Sequence, residues 1–437
     1  MSIEERVSDL VRQLGEAPAF EQRGRVRGAV GTSIRVAGIT ARIGQSCALL
    51  DVTGETTLMA EVVGLADGEA LLTPLGELRG LSNETEVVVR VGEDRVPVGD
   101  SLLGRIVDAR LRPLDGGPPI SADRFRPLYG EAPNPMQRAR IDRTVETGVR
   151  AIDGVLPLGR GQRIGVFAAA GGGKSTLLAT LARQAEADAI VIALIGERGR
   201  EVREFVEDNL GTEGLARSVT VVATSDRPAL ERARAAHAAT AIAEGLRAEG
   251  RHVLLLMDSV TRFSRALREI GLATGEPPVR RGFPPSVFAE LPRLFERSGT
   301  DEAGAITGIY TVLLEDEEDD PIGEEVRSLL DGHIYLSRKL AARGHYPAID
   351  ILASQSRLMG QLTGPEQRAA ANALRTHLAK LDEIEILLQV GDYKPGQDLA
   401  ADRALAQREA LDAFLRQPLD ERVALPTTLA LLRGFDG

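Results

Sequence analysis

The first part of the chain alternates short runs of β-branched residues with glycines. Between residues 24 and 91 these runs include Val26–Val30, Ser33–Ile39, Leu58–Val63 and Glu86–Val91. Each run is long enough for one strand, and the glycines between the runs mark turns. Many short strands with frequent turn residues are typical of a small antiparallel barrel or sandwich. We therefore predict a β-barrel domain over residues 21–95.

The central part of the chain alternates apolar runs of strand length with helical segments such as Ser175–Ala187 and Pro228–Glu249. The strand candidates are Arg163–Ala168, Ala189–Ile195, Ser218–Ala223, Val253–Met257, Ala305–Leu314 and Ile349–Ala353. Such alternation predicts a largely parallel sheet that helices cover on both faces. Residues 113–135 are rich in proline and glycine and connect the barrel to this domain. We place the domain, with its connection, at residues 96–362.

Both ends of the chain have helical patterns. Residues 1–20 form a predicted amphipathic helix, because apolar side chains recur at helical spacing: Ile3, Val7, Leu10, Val11 and Leu14. This helix either packs on its own domain or docks on a partner or a membrane surface. Residues 363–437 are rich in Ala, Leu, Arg, Gln and Glu, with a break at Tyr393–Gly396. They predict a helical carboxy-terminal domain, and the whole chain a multi-domain α/β fold.

The charge balance argues against one class of partner. The 437 residues carry 53 Lys and Arg against 64 Asp and Glu, a net charge of −11, with no Trp, 10 Phe and 5 Tyr. A nucleic-acid surface needs concentrated positive charge and stacking platforms, so we expect no nucleic-acid partner. The single cysteine, Cys47, cannot form an internal disulfide. No apolar run approaches the roughly 20 residues of a membrane span. These features predict a cytoplasmic protein.

A glycine-rich loop is the strongest local signal in the sequence. The apolar run Arg163–Ala168 leads into Ala-Ala-Gly-Gly-Gly-Lys-Ser-Thr, and a helical segment follows. Small residues let backbone N–H groups surround phosphates, and a helix amino terminus adds a favourable dipole. Ala168 stands where the usual pattern begins with glycine, and a fortuitous glycine turn is the alternative interpretation. The predicted nucleotide-binding residues of this loop are Ala170, Gly171, Gly172, Gly173, Lys174, Ser175 and Thr176.

The loop also predicts how a magnesium ion is held. Lys174 should reach the β- and γ-phosphates of the nucleotide, and the Ser175 hydroxyl should bind Mg²⁺. A second Mg²⁺ ligand is expected at the end of a neighbouring strand. Asp258 follows the buried run Val253–Met257 and is the candidate for that ligand.

Hydrolysis needs a further carboxylate that orients or deprotonates the attacking water. Glu197 directly follows the apolar run Ile190–Gly196 and is our candidate. From its position alone, Glu197 is equally well explained as a solvated acid in a loop. The adjacent Arg198 is either a contact of the γ-phosphate or a member of a surface ion pair.

Several motifs in one order resemble the superfamily of rotary ATP synthases and secretion ATPases. They lie at residues 159–164, 196–201, 257–263, 282–288, 292–297 and 331–334. Within that superfamily the chain resembles the ATPases of type III protein secretion, in the injectisome or the flagellar export form. The resemblance extends from the barrel to residue 417, and the linked motifs make it more specific than the glycine-rich loop alone.

The resemblance implies roles for residues whose positions leave them ambiguous. It implies that Glu197 is the catalytic carboxylate, and that Arg357 is an arginine finger in the site of the neighbouring subunit. Arginine supplied from outside neutralises charge that develops on the γ-phosphoryl oxygens. The expected catalytic residues are therefore Lys174, Glu197, Arg198 and Arg357. The resemblance also implies a homohexamer.

Three further residues receive expected roles, Tyr346 and Phe283 from the resemblance and Arg262 from its position. Tyr346 matches the position that packs against the base, and a buried core tyrosine is the alternative. Arg262, four residues after Asp258, is expected to hold the loop of that acid. Phe283 lies in a Gly-Pro-Pro segment that would line the central pore of the hexamer.

We therefore expect an Mg²⁺-dependent ATPase that powers protein export through a type III secretion system by releasing or unfolding chaperone-bound substrates. The amino-acid sequence of the phosphate loop favours the injectisome over the flagellar system. The expected partners are stator and stalk proteins, chaperone–substrate complexes and the inner-membrane export gate, at the cytoplasmic face of the apparatus. The alternatives are a flagellar export ATPase, a catalytic subunit of a rotary ATP synthase, a hexameric RNA translocase and a non-enzymatic ATP-binding module.

Overall fold

The computed structural model describes residues 21–90, 92, 94–169, 171–314 and 320–435. Contacts divide the chain into two compact units: Met1–Asp94 with Ala273–Gly275, and Arg95–Leu272 with Glu276–Gly437. The amphipathic helix predicted for residues 1–20 lies outside the described residues.

The first unit contains a closed antiparallel barrel, whose described strands follow one another in the order β1-β2-β5-β4-β3-β6. Their bounds are β1 Arg23–Val30, β2 Ser33–Ala37, β3 Ser46–Leu50, β4 Thr56–Ala66, β5 Glu69–Pro74 and β6 Glu86–Arg90. Alternate residues point inward, so Ile34, Val36 and Leu72 meet in a core that excludes solvent. Closure pairs β6 with β1 and leaves no open edge. The predicted barrel is confirmed.

The second unit is built on a long, mostly parallel sheet. In its described part the strand order is β19-β18-β12-β17-β15-β13-β14-β8, and a short strand pairs with β17 off this path. The bounds are β8 Ile106–Asp108, β12 Arg163–Ala168, β13 Ala189–Glu197, β14 Ser218–Thr224, β15 His252–Asp258, β16 Gly299–Thr300, β17 Ala305–Leu313, β18 Gly332–Leu336 and β19 Ile349–Ser356. The remaining described strands form two separate two-stranded sheets: β7 Arg95–Val98 with β9 Arg124–Pro127, and β10 Thr144–Val145 with β11 Leu158–Gly159.

Helices cover both faces of this sheet. Those of the core are α1 Arg150–Val155, α2 Lys174–Gln184, α3 Gly199–Glu204, α4 Gly211–Ala216, α5 Ala229–Arg247, α6 Val260–Ala273, α7 Pro285–Glu296, α8 Pro321–Leu329 and α9 Arg338–Ala342. The carboxy-terminal helices are α10 Met359–Leu362, α11 Pro365–Glu383, α12 Glu385–Val390, α13 Leu399–Leu415 and α14 Leu425–Leu432. The break predicted at residues 393–396 lies between α12 and α13. This architecture confirms the predicted multi-domain α/β fold.

The two faces of the sheet form two separate cores. Along β13, Val191, Ala193 and Ile195 pack with the alanine-rich α5, whereas Ile192 and Leu194 pack with α2 and the carboxy-terminal helices. Burial on both faces explains why the parallel strands appear in the sequence as continuous apolar runs. The carboxy-terminal helices therefore belong to the same unit as the sheet.

Two strands of the main strand order were missing from the sequence prediction, as was the two-residue β16 beside it. β8 has only three residues, Ile106–Asp108, and β18 alternates buried and partly buried positions over Gly332–Leu336. Neither contains a continuous apolar run, because β8 is short and β18 carries His333 and Tyr335 on one face. The strands were missed because their pairing partners, rather than local apolar patterning, place them in the sheet.

The direction of β19, the last strand of the sheet, determines at which edge of the sheet Arg357 lies. β19 pairs antiparallel with β18, and Ser356 lies opposite Gly332, at the start of β18. Backbone hydrogen bonds continue this edge, since Arg357 N donates to Asp331 O at 3.1 Å and Asp331 N donates to Arg163 O at 2.8 Å. Arg357 thus lies where β12 begins, at the edge opposite to the one where β12 ends.

None of the described helices combines the length and the apolar character that a bilayer crossing would require.

We expect Leu72→Ala in β5 to lower the free energy of unfolding of the barrel by about 3 kcal/mol, because a buried leucine leaves a cavity when it is shortened. Leu72 is 0% exposed, whereas Leu65 in β4 is 54% exposed and provides the matched control. Leu65→Ala should change stability by less than about 0.5 kcal/mol. Amide hydrogen exchange of the barrel strands measures both values, and equal losses would contradict the assigned core.

Candidate active site

The glycine-rich loop joins the end of β12 to the start of α2. Gly171 and Gly173 both have a φ of +82°, a left-handed conformation that strains any residue with a side chain. At Gly172 an added Cβ would lie 3.2 Å from the Ala169 carbonyl oxygen. The loop therefore needs glycine at Gly171 and Gly173 and leaves little room for a side chain at Gly172. Ala170, which we also predicted to bind nucleotide, lies outside the described residues.

Lys174 is the first residue of α2, and its side chain reaches two acids on neighbouring strands. Its Nζ is paired with Asp258 Oδ1 and lies 3.4 Å from Glu197 Oε1. Glu197 ends β13 and Asp258 ends β15, and these strands are adjacent in the sheet. Parallel strands bring their carboxyl ends to one edge, which is how residues far apart in sequence meet. All three side chains are at most 10% exposed, and together Lys174, Glu197 and Asp258 form what we call the Lys174 group.

The predicted Mg²⁺ ligands offer a suitable donor set. Ser175 is exposed in the first turn of α2, and Asp258 Oδ1 also accepts a hydrogen bond of 2.8 Å from Thr311 Oγ1. A hydroxyl and a carboxylate are hard oxygen ligands. Among the described residues, no group of three or more His, Cys, Asp or Glu side chains is arranged to hold a metal. Two protein donors suit Mg²⁺, which takes its other ligands from phosphates and water.

The charge state of Glu197 depends on its neighbours. Burial and the nearby charge of Asp258 raise the pKa of Glu197, whereas Lys174 and Arg262 lower it, and the net shift is upward. A carboxylate with a raised pKa accepts a proton more readily. The Arg262 guanidinium lies 3.0 Å from Glu197 Oε2 and donates to the Gly196 carbonyl oxygen. We predicted that Arg262 holds the Asp258 loop; its guanidinium instead holds Glu197.

Arg198 does not join this group. Its side chain is 74% exposed and forms an ion pair of 3.3 Å with Glu201, one helical turn away. The ion pair corresponds to the surface role that the sequence left open.

A small apolar pocket, with a cavity volume of about 20 Å³, adjoins the glycine-rich loop. Its walls include Val149, Thr176, Leu177, Tyr346, Pro418 and Leu419. Tyr346 is 40% exposed, so it is a pocket residue rather than a buried core tyrosine. An added Cβ at Gly173 would lie 3.4 Å from Tyr346 Cε1, so the ring lies beside the loop. Apolar walls and an exposed aromatic ring next to a phosphate loop are the kind of surface against which a nucleotide base packs.

Sequence reasoning missed the wall formed by residues 417–419. This segment follows α13, and neither a motif nor a spacing connects it with Lys174. Its only local signal is Pro418, which ends a helix but does not indicate a pocket.

Arg357 lies apart from the Lys174 group. It is exposed after the end of β19, and its Nη2 donates to the Arg327 carbonyl oxygen at 3.1 Å. It therefore lies at the opposite edge of the sheet from Glu197 and Asp258.

Phe283 lies in the segment predicted to line a pore, and its own ring is buried, at 8% exposed. The ring packs against Phe288, at 6.4 Å between ring centroids, and beneath the Arg268 guanidinium at 5.0 Å. The exposed part of this loop is Pro277–Gly282. The pore role of the segment stays a prediction.

Comparison with known proteins gives the family. The ATP synthase alpha/beta family, nucleotide-binding domain, matches residues 148–356, and the T3SS EscN ATPase C-terminal domain matches residues 363–434. The type 3 secretion system ATPase of Xanthomonas euvesicatoria is 54% identical over 424 residues, 97% of this chain and 96% of the relative. The chain belongs to the type III secretion ATPase family. The predicted family and the predicted ATP-hydrolysing activity are confirmed.

Other type III secretion relatives extend this similarity. Two structures of the assembled ATPase EscN from enteropathogenic E. coli, the second with its central stalk EscO, have TM-scores of 0.90 and 0.87. Their sequences are 45% and 44% identical to this one, and each match covers 95% of this chain and 100% of the EscN chain. The flagellum-specific ATP synthase of Treponema pallidum is 46% identical, over 97% of this chain and 95% of the relative.

We expect Arg262→Met to move the acidic limb of the pH profile of kcat/KM upward by about one pH unit. Arg262 is a positive neighbour of Glu197, so its loss raises the pKa of Glu197 further, and the ionised acid forms only at higher pH. Arg268→Met, on the same helix but stacked on Phe283, is the control and should leave the limb in place. An unshifted limb in Arg262→Met would contradict this assignment.

Proposed function

We propose that this chain hydrolyses MgATP at the Lys174 group and that turnover drives protein export through a type III secretion system. The observation that carries the proposal is the contact of Lys174 with both Asp258 and Glu197. A phosphate-loop lysine next to two acids at adjacent strand ends is the arrangement that phosphoryl transfer to water needs. We propose domain limits of 21–95, 96–362 and 363–437.

The residues of the site divide the chemistry between them. Lys174 and the backbone N–H groups of Gly171–Thr176 hold the phosphates, and Ser175 with Asp258 would hold Mg²⁺. When bound, this ion neutralises charge on the phosphate oxygens. Glu197 orients water and accepts its proton while the water oxygen bonds to the γ-phosphorus. The bond from that phosphorus to the bridging oxygen of ADP breaks, and ADP and phosphate result.

A subunit completes this site for its neighbour. Arg357 lies beside the start of β12, and a six-residue strand at about 3.3 Å per residue separates it from the loop that follows. We therefore propose that Arg357 reaches the γ-phosphate of an adjacent subunit in a homohexamer. The relative EscN is described as assembled, which supports an oligomer. Arg198 is free to approach the same phosphate if its exposed ion pair with Glu201 opens.

The carboxy-terminal helices offer a surface for partners. Ile386, Val390 and Leu399 are 72%, 70% and 72% exposed around the α12–α13 break. Exposed apolar clusters mark protein-docking surfaces, and EscN was solved with its central stalk EscO. We propose that stalk and stator proteins, chaperone–substrate complexes and the export gate engage the enzyme at the cytoplasmic face of the inner membrane.

Identity favours the injectisome over flagellar export. The type 3 secretion system ATPase of Xanthomonas euvesicatoria is 54% identical, against 46% for the flagellum-specific ATP synthase of Treponema pallidum. The flagellar role remains the second candidate, because the phosphate loop and both acids would serve it equally well.

We expect Lys174→Ala and Arg357→Ala each to abolish turnover, with nucleotide affinity retained in the second variant. Mixing the two inactive variants should restore activity, because about a quarter of randomly formed interfaces combine an intact loop with an intact arginine. Phosphate release against mixing ratio measures this recovery, and Glu197→Ala mixed with Lys174→Ala is the matched control that stays inactive. No recovery, or a monomer with full activity at any concentration, would contradict action across an interface.

Deletion of the gene in its native organism should stop effector secretion and leave swimming intact. Secretion and motility are scored separately, because loss of motility alone would assign the enzyme to flagellar export. Complementation with Lys174→Ala should restore neither secretion nor any other lost phenotype, which separates catalysis from a purely structural role.

A further inference from the structure

Arg150 is a buried arginine that binds the end of a distant helix. It is the first residue of α1, and its Nε donates to the Phe414 carbonyl oxygen at 2.9 Å. Its Nη2 donates to the Ala413 carbonyl oxygen at 3.2 Å and also contacts the Arg416 carbonyl oxygen. These carbonyls close α13, so the guanidinium satisfies groups that a helix end leaves without partners.

Gln417 extends this contact to the pocket beside the phosphate loop. Its backbone N donates to the Tyr346 carbonyl oxygen at 2.9 Å. Its Nε2 donates to the Gly148 carbonyl oxygen at 2.7 Å, and its Oε1 accepts from Arg150 N at 2.9 Å. Gln417 is 5% exposed, so these bonds are shielded from water. Through its backbone and its side chain together, Gln417 thus joins the segments that carry Val149, Tyr346 and Pro418, which are all pocket walls.

The phosphate-loop helix holds the same segment from its far end. Gln184 Nε2 and Arg183 Nη2, in the last turn of α2, donate to the Leu419 carbonyl oxygen at 3.3 and 3.2 Å. Hydrogen bonds therefore join the wall formed by residues 417–419 to α1 and α2, and Arg150 links it to the end of α13. A base in the pocket would contact this wall and, through it, the end of α13, whereas the phosphates would be held at the start of α2.

We propose that Arg150 and Gln417 are positioning residues that shape the base pocket and transmit its occupancy to the carboxy-terminal helices. This inference rests on the proposed function, because it takes the apolar pocket as the site of the base. Arg150 and Gln417 touch neither the phosphates nor the reacting atoms. The contribution of the base to binding should therefore depend on them, and the contribution of the phosphates should not.

Titration calorimetry of the full chain with MgADP and with magnesium pyrophosphate separates these two contributions. Gln417→Ala should weaken MgADP binding about 10-fold and leave pyrophosphate binding within about twofold. Arg150→Met should act in the same direction. Gln367→Ala is the matched control, since Gln367 also joins a carboxy-terminal helix to α1, through the Asp153 and Gly154 carbonyl oxygens, but does not contact the pocket. It should change neither affinity.

Hydrogen exchange tests transmission. MgADP should slow amide exchange at residues 411–423 in the unmodified chain, pyrophosphate should not, and Gln417→Ala should remove the effect of MgADP. Equal weakening of both ligands, unchanged affinities, or slowing by pyrophosphate would each overturn the proposal. If the unmodified chain binds MgADP no more tightly than pyrophosphate, the base pocket of the proposed function fails as well. Retained MgADP preference in Gln417→Ala rejects the positioning role alone.

Discussion

The contact of Lys174 with Asp258 and Glu197 is the interaction on which the organisation of the site depends. One ammonium lies between two carboxylates that are almost completely buried. Burying either acid without a counter-charge would cost several kcal/mol per ion, so each of the three side chains needs the others. The arrangement also makes these contacts sensitive to nucleotide binding, because a polyphosphate at the loop competes with the two acids for the Lys174 ammonium.

The sheet supplies the geometry for that contact. Its parallel strands carry Glu197 and Asp258 to one edge, and burial on both faces fixes their depth. The antiparallel β19 breaks this direction and carries Arg357 to the other edge. The carboxy-terminal helices pack on the same core, and they contribute the last wall of the pocket.

How far the sequence predicts this molecule depends on whether a feature is local. The loop at Gly171–Ser175 and the acids Glu197 and Asp258 were predictable, since each follows an apolar run that forms a buried strand. The role of Gln417 was not, because it arises only when the end of α13 packs beside Tyr346. β18 and the contact of Arg262 with Glu197 were missed for the same reason: tertiary neighbours determine them. The assignment of Ala170 to nucleotide binding and the catalytic role of Arg198 stay predictions, as do the roles assigned to the other residues of the site.

The reversed direction of β19 has a consequence for how many copies work together. Under the proposed role of Arg357, each subunit carries an incomplete site at one edge of its sheet and an arginine for its neighbour at the other. With Arg357 acting on the neighbour, an open row of n subunits contains n − 1 complete sites, with an unused arginine at one end and an unfinished site at the other. Only a closed ring uses every part, so closure of the ring adds a catalytic site without adding a subunit.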